Sequence, residues 1–321
     1  MFDRLEETVD RIKPDVFWTT WHFTPVIKEQ SVLRNIRQKG VRVFMLVDWP
    51  PPRSPREADV IASGDIVDVC FGEREPESMV EFERATGKRY YLIPNAANRL
   101  LHFPTAPVVK YQYDIVFLGA KLPLKMWFFD NILLPLKRKY KVGIFGPCWT
   151  IRDNVLRVGQ RLCRDVKFRA GADIFGRMRM LIPPEEENQL YSSAKISVNF
   201  HEREPDGSQP HLILNQRTFK ICACGGFQIC DHVPALRKYF AEDEVVMAND
   251  KDDWFKKIDY YLGHDAERET IRKQGIERAL HDHSYHNRVA YAMELYRQPT
   301  SGESMPYTVC CQVGTGGHNY Q

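Results

Sequence analysis

The sequence has no long hydrophobic run: none approaches the roughly 18 apolar residues that a membrane-spanning helix needs. The first residues, Met1–Lys13, are charged and amphipathic and lack the apolar centre of a secretory signal peptide. We therefore expect no membrane span, and a cytoplasmic protein.

The sequence also lacks the dense cysteine spacing of a small disulfide-stabilised domain. Its eight cysteines are scattered through hydrophobic segments of a long chain, at Cys70, Cys148, Cys163, Cys222, Cys224, Cys230, Cys310 and Cys311. We expect free thiols.

The composition contains no strong bias: 43% of the 321 residues are hydrophobic, and 45 Lys and Arg oppose 42 Asp and Glu. These values exclude disordered, collagenous and fibrous proteins, and the length favours two domains. Residues 137–179 are the exception, because 12 Lys and Arg against 3 Asp and Glu give this segment a net charge of +9. An anionic partner is one interpretation of this basic segment.

Short β-branched or aromatic runs alternate with amphipathic stretches and predict an α/β fold with parallel sheets. The predicted strands are Asp15–Trp18, Val41–Val47, Ile66–Cys70, Tyr90–Ile93, Asp114–Leu118, Lys141–Phe145, Lys195–Phe200, Gly226–Asp231 and Glu244–Met247. Helical periodicity is clearest in Val26–Lys39 and Asp252–Leu262.

The segment Leu92–Tyr113 has neither helical nor strand periodicity and is rich in Pro, Ala and Asn. It predicts a domain boundary near residue 108, giving an amino-terminal domain over 1–108 and a second domain over 109–297. Residues 298–321 are Gly-, Ser- and Thr-rich and predict a flexible tail.

Two strand-end loops of the second half suit a phosphate or a base. After the strand ending at Leu118, Gly119 allows close approach to the backbone, and Lys121 and Lys125 offer positive charge. The next strand ends at Gly146, and Trp149 follows as a candidate for stacking on a base. A turn glycine and a core tryptophan are the structural alternatives.

A third loop carries most of the candidate donor-binding residues, which are Asn199, His201, Asn215, Arg217, Phe219, Gly225 and Gly226. A helix beginning near Leu214 would aim the first-turn residues Asn215 and Arg217, with free backbone N–H groups, at one point. The glycine pair would end that helix just before the next strand. This pattern predicts an anion site, although a single arginine is more often solvated.

Several motifs in the second half resemble one glycosyltransferase family. They are Asn215-x-Arg217-x-Phe219, Cys224-Gly225-Gly226, Tyr261-Leu262 with Arg268 and Gly275, and His283-Ser-Tyr285-x-x-Arg288. Upstream, Tyr113–Gly119, Gly146-x-x-Trp149 and Ser197-Val-Asn199 continue the match. Looser matches in the first half are Lys13-Pro14-Asp15, Val47–Pro50 and Leu92–Ala96. The chain resembles the CgeB-like (spore maturation protein) glycosyltransferases over nearly its whole length to Tyr296.

The resemblance implies the GT-B architecture, in which two Rossmann-like domains face each other across a cleft. It also implies sugar transfer from a nucleotide-diphosphate donor, bound mainly by the second domain, to an acceptor hydroxyl held mainly by the first. Positive groups at the diphosphate would supply most of the rate. GT-B enzymes need no bound metal for this role, and the sequence shows no Asp-x-Asp motif after a strand.

Two departures from the family pattern concern the donor and the acceptor. Lys220 stands where the family usually has an acidic residue that holds the donor ribose. The first domain is abbreviated, and the glycine-rich first loop is absent from it. Candidates for the catalytic base are therefore His22 and Asp48, each of which is also explained structurally, as a core histidine or a turn aspartate. A retaining mechanism would need no protein base.

Two further clusters admit other interpretations. The segment His281–His286 and the cysteines Cys222, Cys224 and Cys230 lack zinc-type spacing, and we expect them to be structural.

The predicted helix Thr150–Arg164 places Arg157, Arg161 and Arg164 on one face, opposite Ile151, Val155, Val158 and Leu162. We expect the arginines to point outward and the apolar residues inward. The arginine face suits solvent or a polyanionic acceptor such as DNA with hydroxylated bases. Protein and glycan acceptors stay open, as does a non-catalytic protein that binds a nucleotide sugar or a polyanion.

Overall fold

The computed structural model describes residues 2–20, 30–47, 66–179, 182–202 and 213–297, which form two compact units. The first contains the chain up to Asn95 and the segment from His286, and the second runs from Ala96 to Tyr285. The boundary predicted near residue 108 lies inside the second unit. Residues 96–108, which precede that predicted boundary, are attached to the second unit. Thr105 N–H and Val108 N–H donate to the hydroxyls of Ser192 and Ser193, each at 2.9 Å. The predicted tail lies outside the described residues.

The first unit is built on a four-stranded parallel sheet of order β1-β2-β3-β4. Its strands are β1 (Val16–Thr20), β2 (Arg42–Leu46), β3 (Val69–Gly72) and β4 (Tyr90–Leu92). Its helices are α1 (Phe2–Ile12), α2 (Gln30–Gln38), α3 (Val80–Thr86) and the final helix Tyr285–Arg297.

Successive residues of β2 point to opposite faces of this sheet, as strand geometry requires. Val43 and Met45 pack in a core with Leu33 and Ile36 of α2. Phe44 packs in a second core with Ala292 of the final helix. Helices therefore cover both faces of the sheet.

The second unit is built on a five-stranded parallel sheet of order β6-β5-β7-β8-β9. Its strands are β5 (Ile115–Leu118), β6 (Val142–Phe145), β7 (Ile196–Asn199), β8 (Gln228–Asp231) and β9 (Val246–Ala248). Between β5 and β6, α4 comprises Met126–Phe128, a π-helical turn Phe129–Leu133, and Leu134–Leu136. The other helices are α5 (Ile151–Asp165), α6 (Arg169–Arg179), α7 (Glu187–Ser193), α8 (Gln216–Ala223), α9 (Lys251–Gly263) and α10 (Asp265–Asp282), and Tyr285–Arg297 is α11.

This second sheet is also covered by helices on both faces. On one face Phe117 lies in an apolar core with Phe128 of α4 and Trp254 of α9. On the other face Val116 packs with Tyr191 of α7 and Ile221 of α8. The arrangement is that of a doubly wound Rossmann-like domain.

All nine predicted strands are confirmed within the described residues, with bounds that shift by a few positions. Cys222, Cys224 and Cys230 are buried and unbridged, as expected. In the ranges that the structure describes, no helix has the length and apolar character to cross a bilayer.

Candidate functional site

The strand order of the second sheet reverses next to β5. The chain passes from β5 to β6 on one side and then to β7 on the other, with all these pairs parallel. Open α/β sheets bind ligands outside the carboxyl ends of the strands at such a switch point. We call the space at the carboxyl ends of β5 and β7 the switch crevice.

Arg217, in the first turn of α8, places its guanidinium in the switch crevice. Its Nη1 donates to the carbonyl oxygen of Leu118, the last residue of β5, at 2.9 Å. Its Nη2 donates to the carbonyl oxygen of Phe200, just after β7, at 3.3 Å. A guanidinium carries five N–H donors, and these two contacts use only part of them in the described chain. The others are oriented by the same two anchors and suit an anionic ligand.

Gly119 makes room for this guanidinium. A Cβ atom at residue 119 would overlap Nη1 of Arg217, so a side chain there would displace the arginine. Gly146, after β6, has a φ of 120° and lies so close that its own Cβ would overlap the carbonyl oxygen of Gly119. The two glycines bring the backbones after β5 and β6 together beside Arg217.

Lys125 is a second cation near Arg217. It is 5% exposed, and its Nζ lies 3.2 Å from Oε1 of Glu202. Burial lowers the pKa of the Lys125 ammonium, and the neighbouring charge of Arg217 lowers it further. An anion bound here would reverse that shift, so the two cations are suited to a diphosphate.

Two side-chain amides, one of them buried, hold the amino end of α8 in place. Asn215 is the N-cap residue: its Oδ1 accepts from the backbone N–H of Thr218 at 3.2 Å. The amides of Asn199 and Asn215 also exchange hydrogen bonds of 3.1 Å in both directions. Since these contacts occupy both polar atoms of Asn215, this residue orients the helix that carries Arg217.

His201 belongs to the same buried network. Its Nδ1 lies 2.8 Å from Oδ1 of Asp231, and its Nε2 lies 3.0 Å from Oγ1 of Thr218. Asp231, the last residue of β8, keeps its Oδ2 buried without a hydrogen-bond partner in the described chain. The network connects the carboxyl ends of β7 and β8 to the first turn of α8.

Trp149 and Lys121 border the Gly119 turn. The indole Nε1 of Trp149 donates to the carbonyl oxygen of Gly119 at 2.7 Å, and its ring packs edge-on against Phe117 and Phe129. The Nζ of Lys121 lies 5.8 Å from the Trp149 ring centroid. The core interpretation of Trp149 is therefore confirmed, and its indole also holds the turn. Stacking of a base on this indole stays a prediction.

Phe219, Gly225 and Gly226 are not brought to the switch crevice. Phe219 is fully buried against the rings of Tyr239 and Phe240. Gly225, with a φ of 81°, and Gly226 follow the far end of α8, and a Cβ on Gly225 would lie 2.9 Å from Oγ of Ser192. These residues set the position of the helix from its other side.

Lys220, the departure from the family pattern, pairs with Glu187 of α7 in a partly buried ion pair. The Lys220 ammonium is thus held by a carboxylate of the neighbouring helix α7. The Glu187 side chain is 19% exposed.

The prediction for the apolar face of α5 was wrong. Arg157, Arg161 and Arg164 are exposed as expected, but so are the apolar residues predicted to face inward. Ile151, Val155, Val158 and Leu162 are 85%, 64%, 56% and 60% exposed. The physical reason is that α5 packs instead through Asp153 and Leu156, on a different side of the helix.

The two candidate catalytic bases, His22 and Asp48, lie outside the described residues. In the part of the chain that the structure describes, no group of three or more His, Cys, Asp and Glu is placed to hold a metal ion.

Four residues of the site were not among those predicted from the sequence: Phe117, Thr218, Asp231 and Glu202. The Phe117 ring lies 5.2 Å from the Arg217 guanidinium carbon. An available signal was the Asn215-x-x-Thr218 spacing, which is that of an N-cap residue and the third residue of the helix it caps. A second was the polar Asp231 at the end of an apolar strand.

Comparison with known proteins decides the family. Residues 130–294, which include α8 and the switch-crevice arginine, match the family described as "Glycosyl transferase-like". The chain belongs to this glycosyltransferase family. The spore protein CgeB of Bacillus subtilis (strain 168) is 21% identical over 267 residues, which are 81% of this chain and 72% of that protein.

Solved structures confirm the architecture. A sucrose-phosphate synthase from Thermosynechococcus elongatus is similar over 92% of this chain and 76% of its own, with a TM-score of 0.56 and 15% identity. Anabaena Alr3699/HepE, solved in complex with UDP and glucose, is similar over 92% of this chain and 81% of its own, with a TM-score of 0.57 and 11% identity. The chain is thus an α/β protein of the GT-B fold with two Rossmann-like domains.

Proposed function

We propose that this glycosyltransferase moves a sugar from a nucleotide-diphosphate donor, such as a UDP-sugar, to an acceptor hydroxyl. The placement of the Arg217 guanidinium between the carboxyl ends of β5 and β7 carries the proposal. The family match supports it, and so do the Anabaena HepE structures in complex with UDP and with UDP-glucose.

The diphosphate is proposed to lie at the Gly119 turn, against the Arg217 guanidinium that fills the space left by the missing side chain. Arg217 and Lys125 would contact its oxygens, and Lys121 would reach it from the Gly119 turn. The free N–H groups at the start of α8 add partial positive charge. Gly146 and Trp149 would border the nucleotide because they shape the same turn.

Asn199, Asn215, His201 and Phe219 act indirectly in this proposal. Their hydrogen bonds and packing hold α8, and therefore Arg217, at a set distance from β5. Gly225 and Gly226 do the same by allowing the helix to end close to Ser192 of α7 and Ser197 of β7.

In the proposed reaction the bond between the anomeric carbon and the diphosphate oxygen breaks, and the acceptor oxygen bonds to that carbon. The electron pair of the broken bond remains on the diphosphate, where Arg217 and Lys125 would stabilise it. Removing one such preplaced donor typically costs about 10²–10³ in turnover. The acceptor proton would pass to Asp48 or His22, or in a retaining reaction to the departing diphosphate. With two cations in this position, we propose that no metal cofactor is required.

The acceptor is proposed by class only: a hydroxylated base in DNA, a protein or a glycan. A different function, in which the chain binds a nucleotide sugar without transferring it, makes the opposite prediction in one assay. In the absence of acceptor, an enzyme slowly hydrolyses its donor and releases free nucleotide, whereas a binding protein releases none.

The experiment combines a thermal-shift panel with that hydrolysis assay. A ligand that binds only the folded state raises the melting temperature. We expect UDP or a UDP-sugar to raise it, and UDP to appear slowly from the cognate donor. If no nucleotide or nucleotide sugar shifts the melting temperature, the proposed function is wrong. If the donor shifts it but yields no UDP, the non-catalytic alternative is supported.

A further inference from the structure

The helical hairpin α5–α6, residues 151–179, follows β6 in the chain, and its two helices pack closely against each other. A Cβ on Gly159 would lie 2.9 Å from the Phe175 ring, and one on Gly176 would lie 2.8 Å from Nε2 of Gln160. An ion pair of 2.9 Å between Arg179 and the buried Asp153 ties the far end of α6 to the start of α5. The side chains that this hairpin exposes are therefore on the outside of a formed structure.

An apolar stripe runs along the exposed side of α5. Its four residues, Ile151, Val155, Val158 and Leu162, recur every three or four positions and so share one face. Their exposed fractions lie between 56% and 85%. The turn and α6 add further exposed apolar side chains, with exposed fractions of 49% to 74%, at Val166, Phe168, Ile174 and Met178.

Positive charge accompanies this stripe. Residues 151–179 contain eight Lys and Arg and three Asp and Glu, a net charge of +5. Arg157, Arg161 and Arg164 form a second exposed row along α5, about a third of a turn around the helix from the apolar row, because successive residues advance by about 100°. At the turn, a surface depression of about 470 Å³ is lined by Arg164, Lys167 and Arg169, together with Ala172 and Asp173.

We propose that the α5–α6 hairpin docks on the surface of an anionic lipid bilayer. The aliphatic side chains of α5 would enter the boundary between headgroups and acyl chains, and the arginines beside them would contact lipid phosphates. A positively charged helix with a large apolar face is the combination that binds such interfaces. Each Lys or Arg near an anionic surface adds to the attraction.

The apolar stripe favours a membrane over the other polyanions and over self-association. Protein contacts to DNA phosphates come from basic and polar side chains, and a row of Ile, Val and Leu has nothing to donate. A second copy of the chain would bring two surfaces of net charge +5 together, and the like charges would repel. An anionic bilayer satisfies the apolar and the basic rows at the same time.

The test is flotation of the full chain with phosphatidylcholine vesicles, with and without phosphatidylglycerol, at low and high salt. One variant, Val158→Asp with Leu162→Asp, changes the stripe, and a second reverses Arg157, Arg161 and Arg164 to Glu. The control for the stripe variant is Val109→Asp with Leu100→Asp, at residues that are 81% and 78% exposed. The control for the arginine variant changes the exposed Lys251, Lys256 and Lys273 to Glu. Melting temperatures and circular dichroism verify that each variant is folded.

We expect the unaltered chain to float only with the anionic vesicles, and less at high salt. Each hairpin variant should bind at least about tenfold more weakly, while both controls stay within about twofold. Failure of the unaltered chain to float, or an equal loss in the controls, overturns the proposal. Binding of each protein to duplex DNA is measured alongside. The proposal is also overturned if the stripe variant binds both the anionic vesicles and duplex DNA as tightly as the unaltered chain does, since charge alone would then explain the attraction. Vesicle binding is measured without donor, so its outcome is independent of sugar transfer.

Discussion

The guanidinium of Arg217 occupies the space that a side chain at Gly119 would need. The same guanidinium donates to the carbonyl oxygen of Leu118 at 2.9 Å, so the turn after β5 packs closely against the first turn of α8. The substitution of Gly119 is therefore a direct perturbation of the candidate donor site.

Gly119→Ala should displace Arg217 and weaken UDP binding by at least about tenfold, or about 1.4 kcal/mol. Gly263→Ala is the control, because a Cβ there has no heavy atom within 4 Å. Titration calorimetry measures both. Unchanged UDP affinity in Gly119→Ala would separate this turn from the nucleotide site.

Lys125→Met should weaken binding of the diphosphate more than binding of the free nucleoside, because the ammonium is proposed to contact phosphate oxygens. A hydrogen bond to a charged group contributes about 1.5–3 kcal/mol, so we expect at least about a tenfold loss for UDP. Lys257→Met, which removes a half-buried lysine paired with Asp253, is the control. Equal losses for UDP and uridine would contradict the proposed role of Lys125.

Asp48→Asn and His22→Ala should leave donor affinity intact while lowering turnover, since a general base contributes typically 10²–10⁴-fold to rate. The rate of UDP release from the donor, together with UDP titrations, provides the two readouts. If neither substitution slows transfer, the assignment of these residues as bases is wrong.

His102 should make the protein less stable as the pH falls from about 6.5 to about 4. Burial, with the nearby charge of Lys220, lowers the pKa of His102 from 6.5 to about 4, and its Nδ1 accepts from the backbone N–H of Asn98 at 2.9 Å. Below pH 6.5 the unfolded chain binds a proton that the folded chain binds only near pH 4. Stability is therefore highest above this window and declines through it, by at most about 3 kcal/mol.

Urea unfolding at a series of pH values measures this effect. His102→Gln should flatten the decline between pH 6.5 and 4, whereas His264→Gln, at an exposed position, should leave it unchanged. A wild-type slope retained in His102→Gln would refute this account of the acid sensitivity.

Most of the fold was accessible from sequence, because short β-branched strands and amphipathic helices leave periodic patterns. The nine strands and the start of α8 near Asn215 follow from those patterns. The domain division did not, because the segment from Ala96 onward is attached by individual hydrogen bonds to Ser192 and Ser193, which have no periodic signature.

The loops that form the site could be predicted from the sequence, but the orientations of their side chains could not. Strand-end placement correctly associated Gly119 with Arg217. The roles of Asn215 and Phe219 depend on which way each side chain turns, and the structure turns both toward the interior. The exposed apolar face of α5 was predicted wrongly, since periodicity identifies an apolar face without showing whether another element covers it.

The most direct test of the central claim is calorimetric titration of UDP into the unaltered chain, Arg217→Lys and Arg237→Lys. Arg237 is a matched control, because its Nη1 also donates to backbone carbonyls, among them that of Ala241 at 2.7 Å. The account predicts that Arg217→Lys weakens UDP binding by at least about tenfold, since a charged hydrogen bond is lost, while Arg237→Lys does not. Equal UDP affinity in all three proteins would contradict it.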